Sequence, residues 1–435
     1  MVKNIITLFC IFLLSIPRLL GQEVVTTDID NFWNAYDKIT VTADTLQQHR
    51  FINELFIEKG SLGLKLMMQA KNYTAKSYVD AIRNYPLFWN SVRENTFKAK
   101  KVQQEIALEL IKLKQLYPQL KPANIYFTIG ALRSNGTVLG RSVLIGSELA
   151  MSDEHTVASE FPETYAAARE KFFASNPIND VVLLCMHEYV HTQQKEMVYN
   201  LLSECLYEGV AEFVSVLSTG KPSAAPAVAY GKTNELLVKQ KFEADMFSNS
   251  KEGDWLWGDA ENMFQMRDLG YYIGYALCER HYNVASDKKK AVYEMINLDY
   301  KNEKQIEKFV DGTQFFSQPI TVLYNDFEKR RPVVLGIHEF KNNSQQVNPN
   351  ITRITLNFSA PLDKAKRGFE YGPMGEKSLL FVKSFIGFSE DGKSATIEVE
   401  LKPNKRYQLL ISNRFESEDG TPLKPFLIDV RTAEK

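Results

Sequence analysis

A chain of 435 residues has room for two or three domains, each with its own core. Lys and Arg (52) nearly cancel Asp and Glu (53), giving a formal net charge of −1, and no segment concentrates basic residues, so nothing suggests a nucleic-acid footprint and no nucleic-acid partner is expected. The composition, 44% hydrophobic and 24% charged, is that of an ordinary globular protein.

The chain begins MVKNIITLFCIFLLSIPRLLGQEVV, the layout of a secretory leader. Lys3 supplies the positive start, Ile5 to Ile16 the apolar centre, and Gly21-Gln22 a cut after a small residue, so residues 1–21 read as a signal peptide. Arg18 lies close to that cut, which keeps an uncleaved anchor as the alternative. Cys10 has no small residue before it and is not read as a lipid-attachment site; no later stretch reads as transmembrane. Beyond the leader remain Cys185, Cys205 and Cys278, at most one disulfide, which suits an exported protein of a bacterial periplasm or cell surface, or a secreted one.

From residue 22 to 120 apolar residues recur at three- and four-residue spacing, as in KVQQEIALELIKLKQLYPQL, and predict helices. Pro122 ends that pattern. Over 122–150, IYFTIGAL and SNGTVLGRSVLIG read as strands joined through the turn pair Asn135-Gly136. Asn176-Pro177 opens a helix with Asn179 or Asp180 as its cap, and helical periodicity continues to 311 with a looser stretch around GKPSAAPAVAYG and DWLWGD. Past Arg330-Arg331-Pro332 the pattern changes to six short alternating runs, separated by turns that include Asp391-Gly392 and Asp419-Gly420; these predict a small β-sandwich over 331–435.

The helix that opens at 177 carries CMHEYVHTQQ at residues 185–194. On a helix His187 and His191 are one turn apart, so both imidazoles can grip one ion. Glu188 is rotated by about 100° and reaches a water on that ion without ligating it. This is the H-E-x-x-H arrangement of zinc hydrolases. The apolar run before it strengthens the metal reading, because buried ionisable groups are costly unless paired or metal-bound. Zinc needs a third protein ligand and an open position. Downstream, LLSECLYEGVAEFVSVLS sets Glu204, Glu208 and Glu212 on one stripe of a helix too apolar for a surface role. Glu208 is the candidate third ligand, Glu212 a partner that orients a ligating histidine, and Glu204 a solvated or packing-edge charge. His155, His281 and His338 lack ligand spacing and read as surface or packing residues.

HEYVH followed by YEGVAEF resembles the gluzincin metallopeptidases, the thermolysin-like and aminopeptidase-N-like zinc enzymes. The resemblance implies that the glutamate before the glycine, Glu208, binds zinc. YYIGYALCERHY resembles their Y-x-x-G helix, whose tyrosine polarises the scissile carbonyl, and so implies that role for Tyr271, with Tyr272 and Tyr275 close by. Only 16 residues separate His191 from Glu208, fewer than in those enzymes, which leaves Glu212 as an alternative ligand. No G-A-M-E-N-like signature is present, so an aminopeptidase is not implied. The specific resemblance covers about residues 180–285; more loosely, the N-terminal part is similar to predicted zinc-dependent peptidases of exported bacterial proteins. ITLNFSAPLD, DGKSATIEV and YQLLIS resemble bacterial Ig-like domains, which implies contact with a cell-surface glycan or protein.

The sequence thus predicts an α+β chain: a mostly helical zincin-type peptidase domain at 22–330 with a small β-sheet, then an all-β Ig-like sandwich at 331–435. The expected activity is hydrolysis of peptide or protein substrates with one Zn2+ per chain, Glu188 as general base and Tyr271 at the oxyanion. SVLIG at 142–146 is the candidate strand for pairing with the substrate backbone, and Trp255 and Trp257 read as packing or cleft aromatics. The competing reading is a non-catalytic or weakly catalytic cell-surface binding protein on the same scaffold. A closed structural zinc site fits poorly, since such sites use four protein ligands, often cysteines.

Overall fold

The structure, a computed structural model, describes residues 22–258 and 262–434, and the leader reading lies outside them. About half of the described residues are helical and the rest include several small sheets, an α+β architecture. The chain divides into two compact units. One comprises the described residues of Met1–Met197, Leu206–Ala229 and Gly274–Tyr300; the other comprises those of Val198–Cys205, Tyr230–Ile273 and Lys301–Lys435.

In the first unit, helices Thr27–Ile39, Thr45–Ile52, Leu62–Lys71, Ala75–Asn84, Pro86–Phe97 and Gln103–Leu116 form the N-terminal layer, as their periodicity predicts. Aromatic side chains fill it: Phe32, Trp33, Phe56, Phe88 and Trp89 are fully buried or nearly so. Beside it lies a four-stranded sheet of order β1-β2-β4-β3, built from β1 (Val24–Val25), β2 (Asn124–Thr128), β3 (Gly136–Leu139) and β4 (Ser142–Gly146). β1 and β4 run parallel to β2, and β3 is antiparallel to β4. Asn135-Gly136 is therefore not the hairpin turn that the sequence suggests. It leads into β3, and the turn to β4 is made at Gly140, whose φ of +60° falls where glycine is favoured. SVLIG is an interior strand paired on both sides, and the edges of the sheet are β1 and β3. The residues just before β1 are tied down as well: the Ile125 amide donates to Glu23 O at 2.9 Å and the Tyr189 hydroxyl donates to Gln22 Oε1 at 2.8 Å.

The motif helix, Val181–His191, follows a 3-10 turn at Pro177–Asp180. Neither Asn179 nor Asp180 caps it through its side chain; the 3-10 turn leads straight into the helix. Ten of its eleven residues are buried, so the helix has no solvent face.

In the second unit, the strands after residue 333 form two antiparallel sheets. One has order β5-β6-β9-β8, from β5 (Val334–Ile337), β6 (Arg353–Phe358), β8 (Val382–Phe388) and β9 (Ser394–Val399). The other has order β11-β10-β7, from β7 (Phe369–Glu370), β10 (Arg406–Ile411) and β11 (Phe426–Arg431). Ile354, Leu356, Ile397, Leu409, Ile411 and Ile428 from both sheets belong to one apolar cluster. The six alternating runs match six of these strands; two-residue β7 carries too little pattern to announce itself. Gly392 and Gly420 adopt φ of +67° and +82°, as Asp-Gly turns require.

Candidate metal centre

Two consecutive helices supply the centre. The motif helix places His187 and His191 one turn apart with ring centroids 4.7 Å from each other and planes at 81°. Their Nε2 atoms are 3.1 Å apart, and Glu208 Oε2, on helix Leu201–Thr219, lies 3.3 Å from both. All three side chains are buried.

The opposite ring nitrogens decide what these three atoms are. His187 Nδ1 faces Glu212 Oε2 at 3.0 Å, and a carboxylate only accepts, so the proton sits on Nδ1. Ser223 Oγ donates to the other oxygen of Glu212. His191 Nδ1 faces Gln194 Oε1 at 2.7 Å, while Gln194 Nε2 donates to Tyr207 O at 2.9 Å; His191 is thus fixed in the same tautomer. With each Nδ1 committed to its own acceptor, both Nε2 atoms face the Glu208 oxygen, and the three atoms can share one cation. Such a cluster calls for a cation. A tetrahedral site with bonds of 2.0–2.1 Å has ligand atoms about 3.3–3.4 Å apart, close to the spacing found here, and a His/His/Glu donor set is a zinc set. The electrostatics agree. Burial raises the pKa of Glu208, but the charges and hydrogen bonds of His191 and His187 outweigh it and hold the carboxyl well below its usual range. Burial opposes charge on His187, yet hydrogen bonds to Glu208 and Glu212 carry its pKa well above the ordinary imidazole value. The pocket is built to hold positive charge.

Residues 168–304 match the family model described as "Predicted Zn-dependent protease (DUF2268)".

The match covers less than a third of the chain and contains both helices of the centre. A search of curated proteins returns no match. Among solved structures, the chain is similar to the S-layer protein rSbsC(31-844) and to the N-terminal part of the bacterial S-layer protein SbsC. Each alignment has 11% identity, a TM-score of 0.19 and 94% of this chain covered, with 45% and 77% of the other chain. The chain thus spans less than half the length of the first of these. A TM-score of 0.19 establishes no shared fold.

Glu188 is buried beside the centre. Burial raises its pKa, partly offset by the charges of His191 and His187. Its neighbour across the sheet edge is Gly136: a Cβ there would lie 2.6 Å from Glu188 Oε1 and 3.0 Å from Leu184 Cδ1, so β3 approaches the carboxylate as only glycine allows. A second glycine pair sets the other helix. A Cβ on Gly209 would fall 2.1 Å from the carbonyl carbon of Gly274, so helix Leu201–Thr219 meets helix Leu269–Val284 backbone to backbone. These are the glycines of E-G-x-A and Y-x-x-G.

Tyr271 lies in the first turn of helix Leu269–Val284, half-buried, with its amide donating to Asp268 O at 3.0 Å. Its two neighbours are committed to packing: the Tyr272 hydroxyl donates to Glu235 at 2.8 Å, and Tyr275 meets Phe213 edge-on at 5.3 Å. Glu204, expected in solvent or at a packing edge, is buried. Trp255 is core, its Nε1 donating to Asp245, and Trp257 is half-exposed. His281 bonds Glu294 at 3.1 Å, and His155 and His338 are exposed. Sequence reasoning missed Gln194, Tyr207, whose ring stacks on His191 at 4.4 Å, and Ser223. Gln194 had a signal, standing one helical turn beyond His191; Ser223 had none.

No helix among the described residues is long and apolar enough to cross a membrane.

Proposed function

We propose that the chain is an exported zinc-dependent peptide hydrolase of the gluzincin kind, with zinc on His187, His191 and Glu208. The observation that carries this reading is the convergence of two imidazole nitrogens and one carboxylate oxygen beside a buried glutamate. Zinc bound there supplies Lewis acidity, which acidifies water and polarises a carbonyl. Glu188 accepts the proton of the attacking water and passes it to the leaving amine, and its raised pKa suits both duties. Glu212 and Gln194 hold the two imidazoles in the tautomer that leaves each Nε2 open. Tyr271 steadies the oxygen that gains negative charge. The exposed edge of β3 pairs with the peptide backbone next to Glu188, taking the role that the sequence suggested for SVLIG. The C-terminal sheets act as an Ig-like module that contacts a glycan or protein at the cell surface.

The test is hydrolysis of a mixed peptide library by the zinc-loaded chain and by Glu188→Gln. The variant should keep its zinc and lose about 100- to 10,000-fold in rate. Full activity in the variant removes Glu188 from the mechanism, and no cleavage by the unmodified chain overturns the reading.

A further inference from the structure

We propose that Glu148 is a positioning residue for peptide binding: by holding the loop at 130–132 it sets the β3 edge against Glu188. The proposal rests on the hydrolase reading above, in which β3 pairs with the substrate backbone, and adds what fixes that edge.

The segment between β2 and β3 is held by four side chains. The Tyr78 hydroxyl, on helix Ala75–Asn84, donates to Ile129 O at 3.1 Å. Glu148, in the short helix Ser147–Ala150 that follows β4, accepts the amides of Gly130 and Leu132 on its two oxygens at 2.8 and 3.2 Å. Arg169 donates to Leu132 O at 2.6 Å, and the Tyr73 hydroxyl accepts the Arg133 amide at 3.1 Å. Glu148 is the middle of this set. It is wholly buried, and a Cβ on Gly130 would lie 2.6 Å from its Oε1, so the loop wraps the carboxylate as closely as glycine permits. Within the wrap Leu132 adopts a φ of +69°, a left-handed value that leucine rarely takes. A buried carboxylate and a strained leucine are both costly, and a connection that only had to join two strands needs neither.

The wrap is continuous with the residue that meets Glu188. Ser134 lies against β4, where a Cβ on Gly146 would strike its carbonyl oxygen, and the Ser134 hydroxyl donates to Gly136 O at 2.6 Å. Asn135 O accepts the Gly146 amide at 3.0 Å. Gly136 then opens β3, too close to Glu188 and Leu184 to carry a side chain. From Leu132 to Gly136 each residue thus has a backbone group bonded or packed. The stretch has no slack, and a displacement at the carboxylate reaches Gly136. A displaced edge takes the peptide with it, because a strand added to a sheet is located by main-chain hydrogen bonds. Glu148 acts through β3, not by contact with the peptide.

The test uses the full, zinc-loaded chain carrying Glu188→Gln, so that nothing is consumed, and each further variant is made in that background. The solution is held at about pH 8, above the value of about 7 to which burial raises the Glu148 pKa. Dansyl-Gly-Ala-Leu-Ala-Gly-Ala amide is titrated by fluorescence anisotropy, together with the same peptide N-methylated at one amide at a time, which removes one donor to a neighbouring strand. With Glu148 intact, N-methylation should weaken binding about fivefold at one or more positions, the effect of one hydrogen bond. Glu148→Gln keeps the shape but offers one acceptor for two amides; it should weaken the unmethylated peptide about tenfold, with zinc content unchanged. On the peptide whose methyl group already breaks the pairing, the same substitution should cost less than about twofold, since both changes remove one interaction. A loss of fold would weaken all peptides alike. Tyr73→Phe removes a single loop bond and leaves Glu148 in place; it should repeat the pattern at about threefold, and it decides the matter if Glu148→Gln loses zinc. Unchanged binding of the hexapeptide in both variants overturns the proposal, as do N-methylation without effect and losses that add. Absence of binding by any peptide overturns it together with the hydrolase reading. Glu148-dependent binding without cleavage by the unmutated chain overturns the hydrolase reading alone and leaves the positioning role standing.

Discussion

Helix Val181–His191 and strand β9 are both core elements, yet they are buried on opposite terms. β9 hides Ala395, Ile397 and Val399 and exposes or half-exposes the residues between, so its interior is wholly apolar. The helix hides ten of eleven residues, including two histidines and a glutamate. An apolar interior is stabilised by area alone, at roughly 25 cal/mol per Å². A polar one is stable only when each charge has its complement, and a deletion there costs more than the atoms removed. The difference separates a region that only has to fold from one that has to hold a charge.

The largest effect expected on the polar side is that of His187→Ala. It removes a metal ligand, strips Glu212 of its imidazole and leaves Glu208 with that of His191 alone. Elemental analysis should find one zinc per chain in the parent and none in the variant, and denaturation should show a loss of about 3–5 kcal/mol. Undiminished zinc sinks the ligand assignment.

On the apolar side, Leu409→Ala should cost about 2–5 kcal/mol by cavity formation, with zinc content unchanged. Loss of zinc in that variant breaks the contrast.

The two carboxylates of the second helix sharpen it further. Glu212 meets His187 at the nitrogen turned away from Glu208, so Glu212→Gln should weaken zinc by about 10- to 100-fold. Glu208→Gln should weaken it more, because an anionic donor is lost from a set of three. The reverse order in a zinc titration would move the ligand by one helical turn.

Much of this was legible in the residues. His187, Glu188 and His191 are adjacent in sequence, and helical geometry alone converts their spacing into a common face. Glu208 and Glu212 were legible as a pair but not in order, since a stripe does not say which turn faces which nitrogen. Gln194 and Ser223 are polar residues among many, and only the fold reveals which touches the centre. The β3 edge was misread because an Asn-Gly pair signals a turn locally, while the parallel pairing of β2 with β4 is a long-range matter. The tail strands were clear from alternation, which a two-sided aqueous and apolar environment imposes on every strand longer than a few residues.

A pH effect concerns Glu148, the buried acid beneath the loop at 130–132. Burial raises its pKa to about 7, against the amide hydrogen bonds that lower it. The folded chain therefore keeps a proton that the unfolded chain has released above about pH 4.5. Stability should fall as pH rises from about 4.5 to about 7 and level off above, because the native state binds more protons over that interval. Glu148→Gln should flatten the slope in denaturation curves taken across it; an unchanged slope assigns it to other groups.

The two-residue strand β1 sets an order of assembly. Pairing Val24 with Ile125 closes a loop of about 100 residues, at an entropic cost on the order of 4 kcal/mol, for very few hydrogen bonds. His187, His191 and Glu208 come from neighbouring helices and need no such closure. The two helices of the candidate centre are thus expected to form before the residues at 22–25 dock. Native-state hydrogen exchange should show the Ile125 amide, bonded to Glu23 O, opening well before the amides of the motif helix. Each opening also parts Gln22 from the Tyr189 hydroxyl, so these residues work as a loose latch on the very helix that carries the histidines.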